Sequence, residues 1–156
     1  MTSNQMQTKR EEAADLFLDA IPPIWYLLRA QIDKIAREKF DITGGQFHVL
    51  GRIKSGKTSV SDLADTRHIS RPTVSRKVDN LVEKGLVSRK ESREDRRFTV
   101  LELTEEGGNI LQMMALSRRM WLEEMLTTLN DHELETIIQA FIVLGKLSKT
   151  ESNEKT

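Results

Sequence analysis

Residues 59–104 read SVSDLADTRHISRPTVSRKVDNLVEKGLVSRKESREDRRFTVLELT. Ser59 can cap a helix, and Val60, Leu63 and Ala64 follow it on one helical face. Ser70 stands at a second N-cap position. After it Val74, Val78, Leu81 and Val82 repeat at i, i+4, i+7 and i+8, the buried stripe of a second helix. Gly85 suits a left-handed C-cap. Leu86-Val87-Ser88-Arg89 and Thr99-Val100-Leu101-Glu102-Leu103 read as strands, joined by a charged connection over 90–98. Two short helices, a strand, a basic hairpin and a second strand make the pattern of a winged helix-turn-helix. It offers one helix and one cationic loop to a DNA duplex.

Charge is concentrated in this stretch. The 156-residue chain carries 24 basic and 24 acidic residues, so its formal net charge is zero. Residues 44–104 hold 13 basic against 8 acidic residues, a net of +5, whereas 1–43 (6 against 7) and 105–156 (5 against 9) are acidic. Screening limits electrostatic reach to ~8–10 Å, so phosphates respond to the local excess.

Composition excludes several classes. With 38% hydrophobic residues the chain can form a core, and no apolar run reaches the ~18 residues of a membrane span. The N-terminus lacks an apolar signal core, so a cytoplasmic protein without membrane partners is expected. Absence of cysteine removes disulfides, thiolate metal sites and thiol redox sensing. His48, His68 and His132 form no zinc-binding spacing, so neither metal nor other cofactor is expected. No catalytic constellation suggests an enzyme.

Outward from the central stretch the pattern is helical. Thr43 and Gln46 fit a capping box, and Phe47, Leu50 and Ile53 continue on one face. Residues 11–40 have helical apolar spacing, but Pro22-Pro23 predict a short leading helix, a kink near Ile21 and a longer second helix. Thr104 caps a further helix with Glu105 and Glu106 in its first turn. Asn130 to Glu133 resemble another capping box, followed by an apolar run including Ile137, Ile138, Phe141 and Ile142. The first and last helices are apolar on more than one side and need a further surface to cover them. Residues 1–10 and 149–156 are polar and expected to be disordered.

The second helix of the central pair, over 70–84, leaves Arg71, Pro72, Thr73, Ser75, Arg76 and Asp79 outside its stripe. Arg71 and Arg76 can each contact guanine in a bidentate manner, worth ~1–3 kcal/mol of discrimination. Ser70, Thr73 and Ser75 can reach phosphate or base. In the hairpin, Arg93, Arg96 and Arg97 suit a minor groove or a phosphate row, with Asp95 orienting an arginine. Taken alone, each segment also reads as an ordinary solvated surface.

These residues resemble the MarR (multiple antibiotic resistance regulator) family of transcription factors. ISRPTVSRKVDNLVEKGLVSR, the Asp95-Arg96-Arg97 wing and LELTEEG carry the resemblance, which spans about residues 12–148. It implies a sequence-specific DNA-binding regulator, expected to be a ligand-responsive repressor. It also implies a homodimer on a pseudo-palindromic operator. The corresponding fold class is mainly α with a small antiparallel β-wing (α+β). Dimerisation helices would occupy 11–42 and 105–148, and a winged-helix lobe 43–104, with the helix-turn-helix at 59–84 and the wing at 86–103. Family members often bind a small aromatic or phenolic effector between these parts. Trp25, Tyr26, Arg29 and His48 are the candidates here, and core or interface packing is the competing reading of each.

One motif competes. Residues 51–58, GRIKSGKT, match the GxxxxGK[ST] pattern of a phosphate-binding loop. That loop needs a buried strand before it, and here a helix is expected. A winged-helix module that binds protein is the other alternative, against which the +5 middle segment argues.

Overall fold

The computed structural model describes residues 3–65, 70–91 and 99–153, with side chains over 5–64, 70–91 and 99–146. Eight elements follow in order: α1 (Ser3–Phe40), α2 (Gly44–Lys54), α3 (Val60–Asp65), α4 (Arg71–Glu83), β1 (Val87–Glu91), β2 (Thr99–Leu103), α5 (Glu105–Leu126) and α6 (Asp131–Asn153). The two strands pair antiparallel, from Val87 opposite Leu103 to Glu91 opposite Thr99. None of the described helices is long and apolar enough to cross a membrane.

Residues 1–117 and 118–156 form separate compact units. The expected boundaries at 42 and 104 do not divide the first unit, because its core draws on the flanking helices. Ile35 and Ala36 of α1 and Ile110, Leu111 and Met114 of α5 join Leu50, Val78, Leu81, Val87 and Leu101 in one buried cluster. Gly107 permits this packing: a Cβ there would stand 2.2 Å from the carbonyl oxygen of Leu86.

Local capping sets the helix starts. Thr43 and Gln46 form the reciprocal capping box of α2. Thr104 Oγ1 accepts from the Gly107 amide at 3.1 Å and donates to the Gly85 carbonyl at 2.7 Å. It thereby pins the start of α5 to the turn before β1. In the second unit, Asn130 and Glu133 cap each other's backbone amides at the start of α6.

Several expectations change. Helix α1 begins at Ser3, inside the segment expected to be disordered, and runs through Pro22 and Pro23 without a break. Proline's fixed φ is compatible with a helix; what is lost is two N–H donors. Their acceptors would be the carbonyls of Leu18 and Asp19, which belong to exposed residues and can bond to water instead. Helix α6 reaches Asn153, past the expected limit of 148, and β1 extends to Glu91.

The apolar faces of the terminal helices remain open within the chain. Leu16, Phe17, Trp25 and Tyr26 of α1 are exposed. So, in the second unit, are Ile138, Phe141, Ile142 and Val143 of α6.

Candidate nucleic-acid interface

Helix α3 is preceded by Ser59, whose Oγ accepts from the Asp62 amide at 3.0 Å. Helix α4 follows with Pro72 in its first turn, where a missing N–H removes no intrahelical bond. Ser70 occupies the N-cap position in extended conformation, but its side chain does not cap the helix. Its hydroxyl lies 2.8 Å from that of Thr73 instead, and either oxygen can be the donor. The Ser70 carbonyl accepts from the Val74 amide at 3.1 Å.

Val74, Val78 and Leu81 bury the inner face of α4, while Val82 is only partly covered. This orientation leaves Ser70, Arg71, Pro72, Thr73 and Arg76 exposed and Ser75 half-buried, all at or near the N-terminal half of the helix. No carboxylate pairs with Arg71 or Arg76 among the described residues.

Two side-chain contacts hold α4 from opposite flanks. Asp79 pairs with Arg89 of β1 at 2.5 Å, so Asp79 serves the helix–wing junction. On the other flank, Asn80 Oδ1 accepts from Gln46 Nε2 at 2.5 Å. Gln46 is buried, and its Oε1 accepts from the Thr43 amide at 2.7 Å. The amide that caps α2 therefore also fixes α4. Gly85, with φ +69°, ends α4 in a left-handed turn. The Gly85 amide reaches Val82 O and the Leu86 amide reaches Leu81 O, so the chain turns at once into β1.

The wing strands are held as a unit. The Leu101 amide donates to the Thr58 carbonyl at 2.8 Å, joining β2 to the segment before α3. Lys90 and Glu102 pair across the strands at 2.5 Å. Arg93, Asp95, Arg96 and Arg97 lie outside the described residues.

A cavity of about 100 Å³ lies between α1, α2, α3 and α4. Arg29 and His48 line it, together with Asp33, Arg52 and Lys77. Trp25 and Tyr26, the other two candidates, do not; they are 54% and 76% exposed on α1. Asp33, Arg52 and Lys77 gave no signal in sequence, because they come from three helices and meet only in the folded unit.

The phosphate-loop look-alike has no free cradle. Its first residues lie in α2, and the Ser55, Gly56 and Lys57 amides all donate back to carbonyls of residues 51–53. No strand precedes it among the described residues.

A buried-stripe helix after a short helix, followed by a two-stranded wing, defines a winged helix-turn-helix. The sequence model of the MarR family matches residues 40–97. The transcriptional repressor MdtR of Bacillus subtilis is 30% identical over 120 residues, covering 76% of each chain. The transcriptional regulator YhbI of the same organism is 35% identical over 92 residues, 58% of this chain and 60% of that relative. The transcriptional regulator Tm0710 of Thermotoga maritima superposes with TM-score 0.76 at 21% identity, over 88% of this chain and 96% of that one. A Staphylococcus aureus MepR mutant bound to an oligodeoxyribonucleotide gives 0.65 at 23% identity, over 84% and 97%. The chain belongs to the MarR family of helix-turn-helix transcriptional regulators.

Proposed function

We propose that this protein is a cytoplasmic, homodimeric repressor that reads a pseudo-palindromic operator in double-stranded DNA through paired α4 helices. The observation that carries this reading is the exposed, carboxylate-free N-terminal half of α4, from Ser70 to Arg76, held on a buried stripe and braced on both flanks. In a helix-turn-helix these positions face base edges in the major groove. Arg71 and Arg76 supply bidentate guanine contacts, and Ser70, Thr73 and Ser75 supply hydroxyls for phosphate or base. Pro72 shapes the first turn. The wing residues Arg93, Arg96 and Arg97, with Asp95 as orienting group, belong to the same reading as minor-groove or phosphate contacts. MepR's oligonucleotide complex and MdtR's role as a repressor support it.

The open apolar faces of α1 and α6 support dimerisation, since large exposed apolar patches mark interaction surfaces. Trp25 and Tyr26 fit that face better than an effector site. A small aromatic or phenolic effector would occupy the cavity lined by Arg29 and His48, where cationic groups suit an acidic substituent.

Binding of the full chain to random and to genome-selected duplex, titrated with salt, tests this reading. Expected is tight binding to the selected duplex, and weaker binding to random DNA that falls steeply with salt. No binding to either duplex at low salt would overturn it in favour of a protein partner.

A further inference from the structure

Beside α4, on the flank opposite the wing, lies an open groove of about 540 Å³. The C-terminal end of α1, the N-terminal end of α2 and α4 form its walls. We infer that this groove is a docking site for the phosphodiester backbone of DNA, through Arg37, Lys77 and the side-chain amide of Asn80. The inference rests on the DNA-binding reading and adds a contact outside the N-terminal half of α4.

Four cations line the groove, Arg37, Arg76, Lys77 and Lys84, against one carboxylate, Asp41. Asp41 is held by Lys84, which donates to its Oδ2 at 2.5 Å and to its carbonyl at 2.7 Å. That contact keeps the Asp41 carboxyl below its ordinary pKa, through the Lys84 hydrogen bond first and its charge second. Gln46 Oε1 is taken by the Thr43 amide, and Thr43 Oγ1 by the Gln46 amide. Asn80 Oδ1 is taken by Gln46 Nε2. Beyond these contacts the groove offers as donors the Arg37 and Arg76 guanidinium groups, the Lys77 ammonium and the Asn80 amide N–H groups, while the exposed Asp41 keeps one acceptor oxygen. No carboxylate engages any of these three cations among the described residues. A lining with three cations in excess of its one carboxylate fits an anionic ligand whose oxygens only accept, as those of a phosphodiester do.

The groove's form selects the polymer. It is wider and more open to solvent than the cavity of about 100 Å³ that Lys77 also lines. Arg76 and Asn80 are one helical turn apart, so the groove continues the surface that presents the exposed half of α4. The left-handed turn at Asp41, φ +50°, lies between α1 and α2, and Arg37 lines the groove beside it.

The test uses the full-length chain, random and operator duplexes, and salt titration. Arg37→Ala is expected to weaken both duplexes by the same factor, about fivefold to tenfold at 0.1 M salt, and to flatten the log–log salt slope by about one. Asn80→Asp puts a carboxylate among the donors and is expected to lose more than Arg37→Ala. Asn80→Ser, which keeps a donor, should recover part of that loss. Thermal midpoints separate misfolding from contact loss, and Arg37 is exposed enough for its midpoint to stay unchanged. If the parent protein binds DNA while Arg37→Ala and Asn80→Asp bind with unchanged affinity and slope, the groove inference fails and the α4 reading stands. A change in base preference with Arg37→Ala would also overturn it. Failure of the parent to bind any duplex would remove the DNA reading itself.

Discussion

Helices α4 and α6 carry similar apolar spacing, yet the fold treats them in opposite ways. In α4, Val74, Val78 and Leu81 are at most 2% exposed and the charges face outward. In α6, Ile138, Phe141, Ile142 and Val143 remain about half exposed or more. Around α4 the first unit covers its apolar residues and turns a polar surface outward, although α1 of the same unit keeps Leu16, Phe17, Trp25 and Tyr26 exposed. Helix α6 has the same chemistry without a surface to bury it in. The lesson is that α4 is packed complete in one chain, whereas the terminal helices keep apolar surface for a further partner.

The largest expected effect strikes at that contrast. Phe141→Glu would place a carboxylate in the proposed dimer face, where an unpaired buried charge costs several kcal/mol. Sedimentation should then show a monomer, and operator affinity should fall by roughly two orders of magnitude or more. A variant that sediments like the parent would mean that α6 is only a solvated helix. By contrast, Leu81→Ala should cost about 2–5 kcal/mol of unfolding free energy in denaturant titration, because it opens a cavity in the filled core. A loss under 1 kcal/mol would contradict the close packing around α4.

Gly107→Ala comes next. The added methyl would meet the Leu86 backbone oxygen, so about 1–3 kcal/mol should be lost as α5 is pushed from the strand. Arg76→Ala should leave the unfolding curve in place and relax base preference by about 1–3 kcal/mol at one operator position. Unchanged selectivity would move Arg76 from base contact to phosphate contact. Smallest is Lys90→Ala, an exposed partner of Glu102, with under about 1 kcal/mol expected in the same unfolding assay.

Much of the winged-helix unit was legible because its signals are local. Thr43 with Gln46, Gly85 and, in the second unit, Asn130 with Glu133 each act within a few residues of the helix end they define, so spacing alone found them. Contacts between distant positions were not legible. Gln46 meets Asn80 across 34 residues, and Lys84 meets Asp41 across 43. Neither pair has a sequence spacing to announce it. Ser70 was read as a capping side chain from its type and place, but its hydroxyl pairs with that of Thr73 instead. Pro22 and Pro23 misled for a different reason: the cost of two missing donors depends on whether water reaches the orphaned carbonyls, which only the folded position of α1 decides. The candidate effector residues divided likewise. Arg29 and His48 line one cavity, while Trp25 and Tyr26 do not line it and are exposed.

The most direct test of the whole account is hydroxyl-radical footprinting of the full-length protein on a genome-selected duplex, with the protein-to-duplex ratio measured on the same complex. The account predicts two protected half-sites about one helical turn, ~10 bp, apart and two chains per duplex. A single protected half-site with one chain bound, or no protection at low salt, would contradict it.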